Sequence, residues 1–245
     1  YEIMPSLVGS EMCIRDSPSH ASSWLMKGSV LATLKRQDDA LKCLERAVEV
    51  EPHCAEIWTC RGLALAESLG RHKEALESFE RALEIDPRCA EAWAGKGTEL
   101  GVLGRYKEAL GCLEHALAID PNDAATWHNK GVVLAQLERP GSPEEQLACY
   151  ERATALNPQL AESWCNKGTI LVKLGRIREA LTCFERATVL NPDLALAWSN
   201  RALALAHAGR GVEAIACIKR AVDLDKESAK VWTLAGAALK AAGEL

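Results

Sequence analysis

Apolar and small residues recur along this chain with the 3.6-residue period of a helix, and that pattern itself repeats about every 34 residues. Each of the seven Trp is followed by Gly or Ala four positions later and by Leu seven positions later. Offsets of four and seven place all three side chains on one helix face. The pattern therefore predicts one amphipathic helix per unit, marked by Trp24, Trp58, Trp93, Trp127, Trp164, Trp198 and Trp232.

A second set of columns follows each of the first six Trp segments. An Ala, replaced by Gln146 in the fourth unit, precedes a large apolar residue by four positions and another Ala by seven. This spacing predicts a second amphipathic helix. Gly-Arg pairs such as Gly104-Arg105 separate the two predicted helices in four units, and a Pro closes five of the units. Because Gly and Pro both stop helices, we expect helix pairs joined by short turns, with the small residues letting the paired axes approach closely.

The pattern Trp-x2-Lys-Gly-x2-Leu, then Ala-x3-Phe, then Pro, resembles the tetratricopeptide repeat family. The resemblance extends over nearly all of the chain from residue 21 onward. It implies an all-α solenoid, a right-handed superhelix of antiparallel helix pairs, with six full repeats plus the first helix of a seventh. We expect an array over 21–245, with repeats at about 21–54, 55–89, 90–123, 124–160, 161–194, 195–228 and a partial repeat at 229–245.

The first seventeen residues carry no amphipathic period. Residues 7–16 read as the translation of a sequencing adapter, so residues 1–17 are excluded from the fold. We expect residues 1–20 to form an adapter-derived, disordered segment. We also expect the chain to be a fragment, because the adapter replaces the natural N-terminus and the array stops abruptly at Leu245.

Three features depart from the family pattern. Lys or Arg stands three positions after six of the Trp, where the family usually has an apolar residue. We expect the aliphatic stems of these side chains to pack on the neighbouring repeat while their charges reach water.

The fourth unit has a longer segment between its helices, residues 138–143, and Ser142 with Glu145 predicts a capped helix start there. We interpret this segment as a tolerated surface insertion, with a protruding contact loop as the alternative. Gln146 puts the close packing of that unit in doubt.

Composition excludes several classes of function. The net charge of −5 gives no basic surface for nucleic acid or anionic lipid. No apolar run approaches the ~20 residues of a membrane helix. Catalytic constellations, metal-ligand spacings and glycine-rich phosphate loops are absent from the sequence, so we predict no enzyme activity, no cofactor and no metal site. Apart from Cys13, the nine Cys fall mostly in repeat columns. We interpret them as reduced, half-buried residues of a cytoplasmic protein, with a redox or metal role as the alternative.

The helix face opposite Trp carries the candidate binding site. Residues two, five and nine positions after each Trp lie on that face, which the family resemblance places on the concave side of the superhelix. In units four to six the first of these positions is always Asn, whose amide both donates and accepts hydrogen bonds. Related repeats use such Asn to bind a peptide backbone; the alternative is that they are merely solvated. The predicted peptide-binding groove comprises Asn129, Gln136, Asn166, Thr169, Lys173, Asn200 and His207.

The sequence therefore favours a non-catalytic protein-interaction scaffold that binds a peptide segment of a partner protein, without nucleic acid or membrane partners. Two alternatives stay open: the targeting or regulatory region of a larger truncated enzyme, for example a glycosyltransferase, and a self-assembly module. We expect the last predicted helix, residues 228–242, to have an uncovered apolar stripe of Val231, Trp232, Ala235 and Leu239, because it lacks its partner helix. We expect that helix to fray or to self-associate weakly.

Overall fold

The computed structural model describes residues 20–67, 70–137, 142–241 and 243. Residues 1–19, which contain most of the predicted adapter-derived segment, lie outside the described residues. The described residues contain thirteen α-helices and no strand. In chain order these are α1 (Ala21–Thr33), α2 (Gln37–Val50), α3 (Ala55–Ala66), α4 (His72–Ile85), α5 (Ala90–Val102), α6 (Tyr106–Ile119), α7 (Ala124–Gln136), α8 (Ser142–Leu156), α9 (Ala161–Lys173), α10 (Ile177–Leu190), α11 (Ala195–His207), α12 (Gly211–Leu224) and α13 (Ala229–Ala241).

The chain divides into two compact units, the first ending at Pro121 and the second beginning at Asn122. Within each unit, an odd-numbered helix packs against the even-numbered helix that follows it. The link inside a pair is as short as the three residues 103–105, so the paired helices run antiparallel. The second helix of a pair also packs against the first helix of the next pair in the same unit. Among the described residues, buried apolar side chains accordingly form separate clusters along the chain rather than one interior.

Small residues on the first helices hold the paired axes together, as the sequence pattern predicted. A Cβ added to Gly62 would lie 2.6 Å from Cε1 of Phe79, and a Cβ added to Gly168 would lie 2.6 Å from Cε1 of Phe184. Both Phe rings are fully buried. The ring therefore occupies the volume that any larger residue at the Gly position would need.

The fourth repeat keeps the same contact despite its two departures from the pattern. Helix α8 begins at Ser142, where the capping pattern predicted a helix start; residues 138–141 of the insertion lie outside the described residues. Gln146 is buried, with 4% of its surface exposed. A Cβ added to Gly131 would lie 2.7 Å from Cε1 of Tyr150. The close packing that Gln146 put in doubt is therefore kept, because Gly131 and Tyr150 set the separation of the two helices.

The turns inside the pairs use a left-handed residue to end the first helix. Gly70, Gly104, Gly175 and Gly209 have φ between 74° and 84° at this position. In the described turns of the third, fifth and sixth repeats, the next N–H bonds back to a carbonyl five residues earlier, as Arg105 does to Leu100 at 2.9 Å. The first repeat forms the same turn with Lys35, whose φ is 58°. A side chain in this conformation is strained by its Cβ, which Gly lacks.

The loops between repeats are fastened by two recurring hydrogen bonds. Asp or Asn before the Pro accepts a bond from a backbone N–H two residues later, as Asn157 does from Gln159 at 3.0 Å. The indole Nε1 of the next Trp then donates to the Pro carbonyl, as Trp164 does to Pro158 at 3.0 Å. The same indole bond is found for Trp58, Trp93 and Trp198. Each of these half-buried Trp therefore ties the start of its own helix to the loop before it.

The last helix departs from the repeat geometry. Helix α13 packs more extensively against α11 than against α12, the reverse of the order in the earlier repeats. Val231 and Ala235 are each 2% exposed, so the expectation that the whole apolar stripe is uncovered is wrong. Trp232 does remain 53% exposed, and a Cβ on Gly236 would meet nothing within 4 Å. The uncovered part of α13 is thus limited to the Trp232 side of the helix.

Candidate peptide-binding groove

The first helices of the second unit carry all seven residues of the predicted groove. They lie on α7, α9 and α11, at positions two, five or nine after Trp127, Trp164 and Trp198. Asn129, Asn166, Thr169 and Asn200 are half-buried. The three residues nine positions after Trp close the first helices at their C-terminal ends and are exposed: Gln136, Lys173 and His207.

The amides of Asn166 and Asn200 bond to neighbouring repeats. Asn200 Nδ2 donates to Thr169 Oγ1 at 3.3 Å and lies 3.6 Å from Cys165 Sγ, both on α9. The amide of Asn166 hydrogen-bonds to the hydroxyl of Tyr150 on α8. These amides therefore connect successive repeats. Since an amide has two N–H donors and two acceptor lone pairs, each keeps hydrogen-bonding capacity for a ligand.

Asn129 lines a cavity of about 500 Å³ in the second unit, together with residues at the start of α9 and the end of α10. His128 and Ser163 form part of its wall, and His128 Nδ1 and Ser163 Oγ are hydrogen-bonded at 2.7 Å. Burial lowers the pKa of His128 below its usual value, which favours the neutral ring at neutral pH. Ser163 has no exposed surface, so this pair fastens α7 to α9 and is unsuited to nucleophilic attack on a substrate.

The pairing of His128 and Ser163 was not found from the sequence. The two residues are 35 positions apart, one directly after Trp127 and the other directly before Trp164. Since the repeat length brings these two positions into contact, comparing the residue after one Trp with the residue before the next would have revealed the pair.

The column of Lys and Arg three positions after Trp is accounted for by packing. In repeats two to six the cation lies over the ring of its own Trp, with distances to the ring centroid of 5.4 to 5.9 Å for Arg61, Lys96, Lys130, Lys167 and Arg201. A Glu on the second helix of the preceding repeat also lies within 4 Å of Lys96, Lys167 and Arg201, and Lys96 Nζ is 3.0 Å from Glu80 Oε1. The prediction that this column faces the neighbouring repeat is confirmed.

Most of the Cys residues that the structure describes are buried. Among the described residues, none of the nine Cys forms a disulfide bond, and six of them are buried. Burial raises the pKa of Cys60 and of Cys165 to about 11, so both are protonated at neutral pH. Within the described part of the chain, no three His, Cys, Asp or Glu residues lie close enough together to hold a metal ion.

A His–Glu hydrogen bond lies in the first unit, outside the set of predicted groove residues. Glu99 on α5 is 4% exposed, at a position where the other first helices carry apolar residues. Its Oε2 lies 2.8 Å from His72 Nδ1, at the start of α4. The pair connects the second and third repeats through a single hydrogen bond.

Two sequence models of the tetratricopeptide repeat match this chain. One matches residues 25–90 and 165–229, which is more than half of the sequence, and the other matches residues 66–137. The chain belongs to the tetratricopeptide repeat family. Its fold is an all-α tetratricopeptide repeat solenoid, an architecture that suggests a protein-interaction scaffold.

Solved structures share this tetratricopeptide repeat fold. A chain of the Cut9–Hcn1 hetero-tetramer of APC/C is 18% identical with a TM-score of 0.86, over 97% of the present chain and 46% of that chain. The present chain thus spans less than half the length of that match. PilF of Pseudomonas aeruginosa is 18% identical with a TM-score of 0.78, over 88% of this chain and 96% of its own. YrrB, described as a TPR protein with an unusual peptide-binding site, is 27% identical with a TM-score of 0.61, over 78% of this chain and 96% of its own.

A comparison with curated proteins gives no match to this tetratricopeptide repeat chain. None of the described helices combines the length and the apolar character needed to cross a lipid bilayer.

Proposed function

We propose that this tetratricopeptide repeat chain is a non-catalytic scaffold that binds an extended peptide segment of a partner protein across α7, α9 and α11. The binding residues are Asn129, Gln136, Asn166, Thr169, Lys173, Asn200 and His207. The observation that carries the proposal is the repetition of a half-buried Asn at one position of three successive first helices.

Different residues of the groove recognise the backbone and the side chains of the bound peptide. A half-buried amide faces less competition from water than an exposed one, so its hydrogen bonds to a peptide backbone contribute more to binding. The contacts of Asn166 with Tyr150 and of Asn200 with Thr169 fix these amides before the peptide arrives. Side chains held in place in this way lose less conformational entropy on binding.

The exposed end of the same face supplies charge. Lys173 and His207 both stand in the last turn of their helices and are exposed. The ammonium group of Lys173 attracts a carboxylate of the bound segment, although solvent weakens the attraction. We therefore expect the preferred segment to carry an Asp or Glu beside a stretch bound through its backbone. The likeness to YrrB, whose description names a peptide-binding site, supports peptide recognition by a fold of this kind.

The test uses peptides selected from a displayed library of random 12-residue peptides, measured by fluorescence anisotropy. Asn129→Ala, Asn200→Ala and Lys173→Ala should each weaken binding by about three- to tenfold, the effect of one lost hydrogen bond or ion pair. Thr182→Ala and Lys219→Ala are matched controls, because both residues are exposed on second helices. Unchanged affinity in all three groove variants would remove the site assignment.

A further inference from the structure

A second cavity lies on the corresponding face of the first unit, between α1 and α3. It has a volume of about 360 Å³, and it is lined by Ser29 and Thr33 on α1, by Leu44 on α2, and by Cys60, Leu63 and Glu67 on or directly after α3. These first-helix residues stand two, five or nine positions after Trp24 or Trp58. The cavity therefore occupies the position in the first unit that the proposed groove occupies in the second.

The cavity lies where the interface between two repeats combines two fairly small side chains, Leu44 and Cys60. Its floor is Leu44, where the second, fourth and fifth repeats have Phe79, Tyr150 and Phe184. In the second repeat the Phe79 ring fills the space beside Gly95, since a Cβ on Gly95 would lie 2.5 Å from Cζ of that ring. At the first interface the shorter Leu44 faces Cys60, and the volume stays open.

The fifth and sixth repeats fill the equivalent space with amide groups. Asn166 and Asn200 occupy the position of Cys60 there, and both bond to the preceding repeat. Cys60 has a smaller side chain, and its thiol stays protonated because burial raises its pKa to about 11. The wall is therefore uncharged and mostly apolar, as a site for an aliphatic side chain requires.

One end of the cavity carries a negative charge. Glu67 is exposed at the C-terminal end of α3, and its carboxylate accepts a hydrogen bond from Gln37, which is uncharged. Among the described residues no cation lies within 4 Å of it, because Arg36 and Arg71 are paired with Asp39 and Glu74. Met26, one turn before Ser29 on α1, is 54% exposed but does not line the cavity. The cavity is therefore apolar at Leu44 and Cys60 and acidic at Glu67.

We propose that this cavity binds an aliphatic side chain (Leu, Ile, Val or Met) of the partner segment, and that Glu67 binds a Lys or Arg next to it. This inference rests on the proposed function, because it names a second anchor point for the same kind of partner. Glu67 favours a cation of the bound segment, whereas Lys173 in the second unit favours a carboxylate. The two sites therefore favour segments of different composition.

Two variants close the cavity by different routes. Leu44→Phe introduces on the floor the residue found at the same position of the second and fifth repeats. Ser29→Leu fills the space from an exposed position of α1, so it leaves the buried core unchanged. Glu67→Lys reverses the charge at the end of the cavity, and Glu45→Lys on α2 is its matched control, since Glu45 is exposed outside the cavity. Circular dichroism and thermal melting of each variant verify that it is folded.

The measurement is the affinity of peptides selected with the wild-type chain from a displayed library of random 12-residue peptides. Selected peptides should be enriched in an aliphatic residue beside Lys or Arg. Ser29→Leu and Leu44→Phe should weaken their binding at least tenfold, as expected when one aliphatic side chain is excluded. Glu67→Lys should weaken binding about fivefold, whereas Glu45→Lys should leave it unchanged.

Three outcomes are distinguishable. Loss of binding in Ser29→Leu and Glu67→Lys supports the proposal. Peptides whose affinity is unchanged by Ser29→Leu and Glu67→Lys but falls with Asn200→Ala or Lys173→Ala would overturn the proposal and leave the proposed function in place. Failure to select any peptide, or selection only of peptides insensitive to every variant in either unit, overturns both.

Discussion

The contact of Gly168 with Phe184 gives the sharpest test of how a repeat is held together. In Gly168→Ala the new Cβ would lie 2.6 Å from Cε1 of Phe184 and 2.9 Å from two further ring atoms. Phe184 is 1% exposed, so the ring has no open space into which it can move. Overpacking of this kind costs about 1–3 kcal/mol, while Ala is better than Gly inside a helix by about 1 kcal/mol. We therefore expect no gain, or a net loss of up to about 2 kcal/mol.

Gly111→Ala is the matched control, because Gly111 lies inside α6 and a Cβ there would meet nothing within 4 Å. This variant should show only the helix-propensity gain of about 1 kcal/mol. The sixth repeat supplies a second control, since it has Ala202 and Ile218 at the positions of Gly168 and Phe184. In a Phe184→Ile background, Gly168→Ala should become neutral or stabilising, with a coupling free energy of about 1–3 kcal/mol between the two sites.

Urea unfolding followed by Trp fluorescence and circular dichroism measures these differences. Because repeat arrays do not always unfold in one step, hydrogen exchange of the α9 and α10 amides should report the same ranking locally. Equal stabilisation by Gly168→Ala and Gly111→Ala, or the absence of coupling to Phe184→Ile, would refute the reasoning.

Three further predictions concern single positions. Lys35→Gly should raise the free energy of unfolding by about 1 kcal/mol, because it removes a Cβ from a left-handed residue, whereas Lys35→Ala should give no gain in a thermal melt. His72→Ala should cost about 1–3 kcal/mol in urea unfolding by leaving the buried Glu99 carboxylate without its hydrogen bond, and adding Glu99→Val should restore the loss. Burial raises the pKa of the Cys60 and Cys165 thiols to about 11, above the value of an unfolded thiol, so their contribution to stability is complete below about pH 9 and is lost as the pH rises through 11. Urea midpoints at pH 8 and 10.5 should differ less in the Cys60→Ala/Cys165→Ala double variant than in the wild type, and an equal difference would contradict this attribution.

The repeating contacts were predictable because they depend on short spacings along the chain. Trp and Gly four positions apart must share a helix face, so the close approach of Gly168 to the second helix followed from the pattern alone. The Gly residues predicted the turns after the first helices, and Lys35 shows that a residue other than Gly can adopt the same positive φ. The same local rules predicted the start of α8 at Ser142.

Contacts between repeats were harder to predict because they depend on which side chains meet across two helices. The helical angle places Asn200 on the groove face, but it does not show that its amide reaches Thr169 on the preceding first helix. The cavity beside Cys60 likewise depends on the difference in size between Leu44 and the larger rings of other repeats. The position of α13 against α11 depends on packing that no repeat column specifies.

The central claim is that the partner segment binds to the first helices, on the face opposite the Trp residues. The most direct measurement is a two-dimensional 15N NMR titration with a selected 12-residue peptide, observing the side-chain amides of Asn129, Asn166 and Asn200. We predict shifts of these amide signals and of backbone signals from α7, α9 and α11, while the exposed faces of α8, α10 and α12 stay unchanged. Shifts confined to those second helices, with the three Asn signals unmoved, would contradict the account.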